Sequence, residues 1–219
     1  MARLIPERLR PWAPVVLGAT SAAFVLLAAS VWHGHRALGV DQTVQRAFGV
    51  PAWSQRANQH LGDAAAALGG APAVVAGSLA LAGAAIWRRG RDWSALALCA
   101  IALPVALVVD DVLKPLVGRR YFGTSYRFPS GHAATVTAVV VVAWLLLVPA
   151  ATGRSRSSAV GAIVAGVVVI GVVSWGLLVT RAHSPIDLLG GWLFGAGAAI
   201  GAAVVLDALA RVNAEVRRG

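Results

Sequence analysis

The chain has 219 residues, 58% of them hydrophobic and 13% charged, with a mean hydropathy of +0.73. Soluble globular domains carry about 25% charged residues, so an ordinary water-soluble domain is excluded and lipid is the expected solvent. The net charge of +10 does not point to nucleic acid, because the arginines stand at the ends of apolar runs and form no basic stripe with interleaved aromatics.

A membrane-crossing helix needs about 20 mostly apolar residues to span roughly 30 Å of hydrocarbon. Six stretches meet that need, approximately 13–32, 71–87, 94–113, 133–149, 159–179 and 188–209. The expected architecture is all-α: a six-transmembrane helix bundle forming a single membrane domain over residues 1–219. Arg3, Arg8 and Arg10 precede the first span like the basic start of a signal peptide. The apolar stretch that follows exceeds the roughly 7–15 residues of a cleaved signal, so a retained helix with a cytoplasmic N-terminus is expected.

Between the first two spans, Gly34 to Gly70 is more polar, with Asp41, Gln42, Gln45, Arg46, Gln55, Arg56, Asn58 and Gln59. This composition predicts a short interfacial helix on the outer face, with Phe48, Val50, Trp53 and Leu61 dipping into the bilayer and the polar residues facing water. The His33-Gly34-His35 pair lacks a third ligand and is read as solvated loop rather than metal site. Pro104 is expected to kink the third span. The lone cysteine, Cys99, falls inside that span, forms no intrachain disulfide and is read as packing.

Alternation from a cytoplasmic N-terminus puts eleven of the nineteen Lys and Arg residues on the cytoplasmic side, and both termini there. The outer side then holds Arg36, Arg46 and Arg56 together with a cluster from Lys114 to Arg127 and Arg181. Once that cluster is set aside as functional, the charge bias follows the positive-inside rule, and Trp12, Trp32, Trp87 and Trp93 mark the span ends. In the last span Gly191 and Gly195, then Gly197 and Gly201, permit close helix approach, either within the chain or between copies in a homo-oligomer.

Ionisable residues at transmembrane helix ends are costly, which makes three outer clusters functional candidates. Asp110 precedes Lys114 by four residues, so the two can pair on one helical face, and Arg119 and Arg120 follow. In Pro129-Ser130-Gly131-His132, Ser130 suits an N-cap. The free N–H groups and dipole of the helix it opens favour an anion, Gly131 allows close approach, and His132 can donate or accept a proton. In Arg181-Ala182-His183-Ser184-Pro185-Ile186-Asp187, Ser184 can cap the last helix with Pro185 at its first position. Asp187 can then hold one imidazole nitrogen of His183 and leave the other as nucleophile or base. Lys114, one of Arg119 and Arg120, and Arg181 offer the cations that a transferring phosphoryl group needs.

In this combination the residues resemble the type 2 phosphatidic acid phosphatase family, over about Asp110 to Gly191. Pro129-Ser130-Gly131-His132 matches the family's second signature in full, and His183 and Asp187 match the end of its third. The chain departs from the pattern in two places. Tyr121 and Phe122 occupy the Arg-Pro positions of the first signature, with Arg119 or Arg120 as the substitute. Leu177 occupies the arginine position six before His183, while Arg181 stands about one helical turn later.

The resemblance implies a membrane phosphatase acting on a lipid-linked phosphate or pyrophosphate beside the bilayer, without a metal or other cofactor. It implies that His183 forms a phosphohistidine, that Asp187 orients it and that His132 protonates the leaving oxygen. Ser130, the Gly131 backbone, Lys114, one of Arg119 and Arg120, and Arg181 would hold the phosphoryl oxygens on the extracytoplasmic side. Phosphotransfer to an alcohol, or a degenerate member that binds lipid phosphate without turnover, are the alternatives.

Overall fold

The computed structural model describes residues 3–36, 38–47, 55–90, 92–120, 125–148 and 156–216, with the side chains at 45, 55–58, 89 and 156–158 left outside that description. Among the described residues every regular element is helical. In chain order the α-helices are α1 (Ala13–Ser30), α2 (Gly39–Ala47), α3 (Gln55–Ala67), α4 (Ala71–Arg89), α5 (Trp93–Cys99), α6 (Ala102–Leu107), α7 (Lys114–Val117), α8 (Gly131–Leu147), α9 (Arg156–Val179) and α10 (Pro185–Val216). Five helical stretches are long and apolar enough to cross a bilayer: Ala13–Ser30, Ala71–Arg88, Trp93–Val117, Ala159–Val179 and Pro185–Val216. The sixth, α8, has 17 residues and rises about 26 Å at 1.5 Å per residue. It is the central helix: α10, α6, α9 and α4 all pack on it, and most of its residues are buried.

Helices in lipid gain little from apolar burial and rely on close van der Waals approach, which small residues permit. Gly191 and Gly195 provide it between α10 and α8. A Cβ on Gly191 would stand 2.6 Å from the Ser130 carbonyl oxygen, and one on Gly195 would collide with the Ala134 carbonyl. Gly197 and Gly201 face α1, where Thr20 and Leu17 lie in contact range. Both glycine pairs are thus used within the chain. Phe128, fully buried, stacks on Phe24 at 5.8 Å and fills the space left by Gly190, which pins the segment before α8 against α1 and α10.

The third span, Trp93–Val117, is one apolar stretch, but its helix is broken into segments. Proline lacks an N–H and its ring crowds the carbonyl four residues earlier, and the chain turns at Ala100–Ile101, immediately before α6 and Pro104. A π-helical turn then covers Val108–Leu113. Such turns mark functional positions in many helices, and this one carries Asp110.

Three expectations need correction. The region between the first two spans forms two helices rather than one interfacial helix. α3 packs along α9 with Gly62 against Thr180 and Ala65 buried, leaving Leu61 exposed, while Phe48, Val50 and Trp53 lie outside the described residues. Asp41, expected to face water, is completely buried because it meets a buried cation. The last helix also runs past its expected end, to Val216. Asp207, inside that helix, is buried and accepts hydrogen bonds from the backbone N–H groups of Leu4 (2.8 Å) and Ile5 (3.0 Å).

Candidate active site at two helix N-termini

Ser130 is the N-cap of α8, its side chain accepting from the Ala133 N–H at 3.3 Å. Ser184 stands in the equivalent place before α10, and here capping is reciprocal. The Ser184 hydroxyl accepts from the Asp187 N–H (3.4 Å), while Asp187 Oδ2 accepts from the Ser184 N–H (2.9 Å). This is the capping-box arrangement with Asp as the third helical residue. The two helix starts are tied together, since the Ser130 N–H donates to the Asp187 carbonyl at 2.9 Å. Two positive dipole ends and their free N–H groups therefore meet at one place, a setting that favours an anion.

His183 precedes that second start. Its backbone N–H donates to the Leu177 carbonyl (3.2 Å), and its side chain is 9% exposed. Nδ1 lies 3.8 Å from Asp187 Oδ2, a charge contact longer than a hydrogen bond, and among the described residues it has no hydrogen-bond partner. His132, second residue of α8, is exposed and lies beside the α3–α4 junction, where a Cβ on Gly70 would stand 3.7 Å from His132 Nε2. The three sequence clusters converge here, since Asp110 stands against Gly131, next to His132, and the Ser130 N–H donates to the Asp187 carbonyl.

The Asp110–Lys114 pair forms as its spacing predicts, at 2.6 Å, and both members are partly exposed. Asp110 stands against the start of α8, where a Cβ on Gly131 would come within 3.1 Å of Asp110 Oδ1. A side chain at 131 would thus press on the pair that places Lys114.

The arginines separate. α7 ends at Gly118, left-handed with φ +66 and packed against the His33 ring. Beyond it Arg119 turns inward and Arg120 outward. Arg119 is fully buried and bridges two fully buried carboxylates, Asp187 at 2.6 Å through Nη1 and Asp41 at 2.5 Å through Nη2, with the Ser184 hydroxyl at 3.0 Å. Arg119, expected to hold phosphate, is engaged by protein carboxylates instead. Arg120 is exposed, donates to the Tyr126 hydroxyl at 2.9 Å and lies over the Tyr126 ring. Arg181, expected to reach the phosphate from a helical turn, follows the end of α9 in a left-handed conformation (φ 55) with its side chain exposed. Tyr121 and Phe122 lie outside the described residues.

Asp41 escaped the sequence reading as a participant, and Arg127, counted there in the outer functional cluster, had been given no role. Asp41 carried no motif, and its only signal was an acid in a segment otherwise able to lie on a membrane surface. Arg127 donates to the Ala182 carbonyl at 2.7 Å, which braces the peptide entering His183, and its position three residues before Ser130 was the available cue. Among the described residues no group of three or more His, Cys, Asp or Glu side chains is placed to hold a metal ion.

The sequence model of the PAP2 superfamily matches residues 110–211, the segment that contains every element of this site except Asp41. A crystal structure of a transmembrane PAP2-type phosphatidylglycerolphosphate phosphatase from Bacillus subtilis has a similar fold, with a TM-score of 0.64 and 17% sequence identity over 86% of this chain and 94% of that one. No curated protein matches the chain.

Proposed function

We propose that the chain, whose residues 110–211 match the PAP2 superfamily model and whose apolar helices are long enough for a multi-pass membrane protein, is a phosphatase that hydrolyses a lipid-linked phosphate or pyrophosphate through a phosphohistidine. The observation that carries this reading is the placement of His183 Nδ1 3.8 Å from Asp187 at the tied starts of α8 and α10, with the Asp110–Lys114 pair against the start of α8 that carries His132.

In this mechanism Nε2 of His183 attacks phosphorus in line with the leaving oxygen, and Asp187 beside Nδ1 stabilises the positive charge that develops on the ring. His132 gives its proton to the leaving oxygen, so the P–O bond breaks as the P–N bond forms. Water then attacks the phosphohistidine, with His132 accepting its proton, and releases inorganic phosphate. Lys114, the Ser130 hydroxyl and the N–H groups at the start of α8 hold the equatorial oxygens, where charge is spread in the transition state. Arg119 acts from behind by positioning Asp187.

A site at helix ends beside an apolar belt suits a substrate whose tail stays in the bilayer. The charge bias supports both termini in the cytoplasm and the site on the other face; a reporter fused after Arg127 that works only in the cytoplasm should be silent. Purified protein, assayed with chelator on polyprenyl pyrophosphate, phosphatidate and phosphatidylglycerol phosphate, should release phosphate from at least one. No release from any of them overturns the proposal.

A further inference from the structure

Asp41 belongs to no signature and lies outside the segment matched to the family, yet it reaches the same buried unit as Asp187. One Asp41 oxygen accepts from the Leu38 N–H (3.1 Å) and from Arg119 Nη2, and the other accepts from the Ile186 N–H (3.2 Å). Ile186 is the second residue of α10, so its N–H is one of the donors that a helix start leaves unpaired. Asp41 therefore holds the catalytic helix twice, directly at its first turn and indirectly through Arg119.

The charges give this arrangement a consequence. Two fully buried carboxylates share one fully buried guanidinium, which leaves one net negative charge in a poorly screened interior. Were Arg119 paired with Asp187 alone, it would cancel the carboxylate that faces His183. With Asp41 on its other edge, Asp187 retains negative charge for the imidazolium that forms during reaction.

We propose that Asp41 is a positioning residue for the reaction: it holds Arg119 and the start of α10 so that Asp187 presents a net negative carboxylate to His183. This rests on the reading of His183 as nucleophile.

The test is a mutant cycle in full-length protein, with turnover normalised to folded enzyme by size exclusion in detergent. Asp41→Asn should lower kcat about 10-fold to 100-fold, as a small misplacement of a catalytic group does, with KM within about twofold. Asp41→Glu, which keeps the charge, should fall between Asp41→Asn and the native enzyme. In an Asp187→Asn background Asp41→Asn should cost less than about threefold more, because its effect runs through a carboxylate already neutralised. Should Asp41→Asn not fold, Asp41→Glu takes its place in the same cycle, with a loss of about threefold and the same non-additivity expected.

Native kcat in these variants, a loss seen only in KM, or losses that multiply with Asp187→Asn would overturn the role of Asp41 while leaving the phosphatase reading intact. An inactive native enzyme would instead remove the phosphatase reading, and the role of Asp41 with it.

Discussion

The two ends of α10 each bury an aspartate, and the two are satisfied in different ways. At its start, Asp187 is held by the Arg119 guanidinium and by the Ser184 N–H, and it keeps one oxygen 3.8 Å from His183. Near its other end, Asp207 is held by the backbone N–H groups of Leu4 and Ile5, which fold the N-terminal segment onto the helix. Burying a carboxylate is costly unless its lone pairs are engaged, and both ends meet that condition. The difference lies in what remains. Asp207 uses its charge to close the fold, whereas Asp187 retains part of its charge beside a histidine whose Nδ1 has no hydrogen-bond partner among the described residues.

Substitution of the two aspartates should sharpen this contrast. Asp187→Asn is expected to lower turnover about 10³-fold to 10⁴-fold, the loss that follows when an orienting carboxylate no longer fixes its histidine. Asp207→Ala should instead cost about 1–3 kcal/mol of stability, because two buried backbone donors lose their acceptor, while turnover per folded molecule stays within about twofold. Thermal unfolding in detergent beside phosphate release separates the two. If Asp207→Ala abolishes turnover in folded protein, the division between the ends of α10 is wrong.

Smaller effects are expected among the cations. Lys114→Ala should lower kcat/KM about 10²-fold, as removal of one group that stabilises transition-state charge commonly does. Arg181→Ala should change it least, within about twofold, because its side chain is exposed and the turn that carries it is not helical. A loss at Arg181 matching that at Lys114 would show that the turn brings Arg181 to the substrate.

What the sequence revealed follows from how local each feature is. The caps at Ser130 and Ser184, the first-turn Pro185 and the Asp110–Lys114 pair depend on neighbours within four residues, and all were legible. The six apolar spans were legible because bilayer thickness sets their length. The choice between Arg119 and Arg120 was not. Adjacent residues after a left-handed glycine point in opposite directions, and which one enters the core depends on carboxylates 78 and 68 residues away. Asp41 was misread for the same reason, since a polar helix that covers a buried ion pair has the composition of one lying on a membrane surface. The last turns of α10 were not legible because Arg211, Asn213 and Glu215 end the apolar run while the helix continues to Val216.

The claim on which the rest depends is that His183 carries the phosphoryl group during turnover. Rapid alkaline quenching of the purified enzyme with a substrate labelled in the transferred phosphate tests it directly. An acid-labile, alkali-stable label that maps to His183 and is lost in His183→Ala is the predicted result. Turnover without label on His183, or full activity in His183→Ala, would contradict the account.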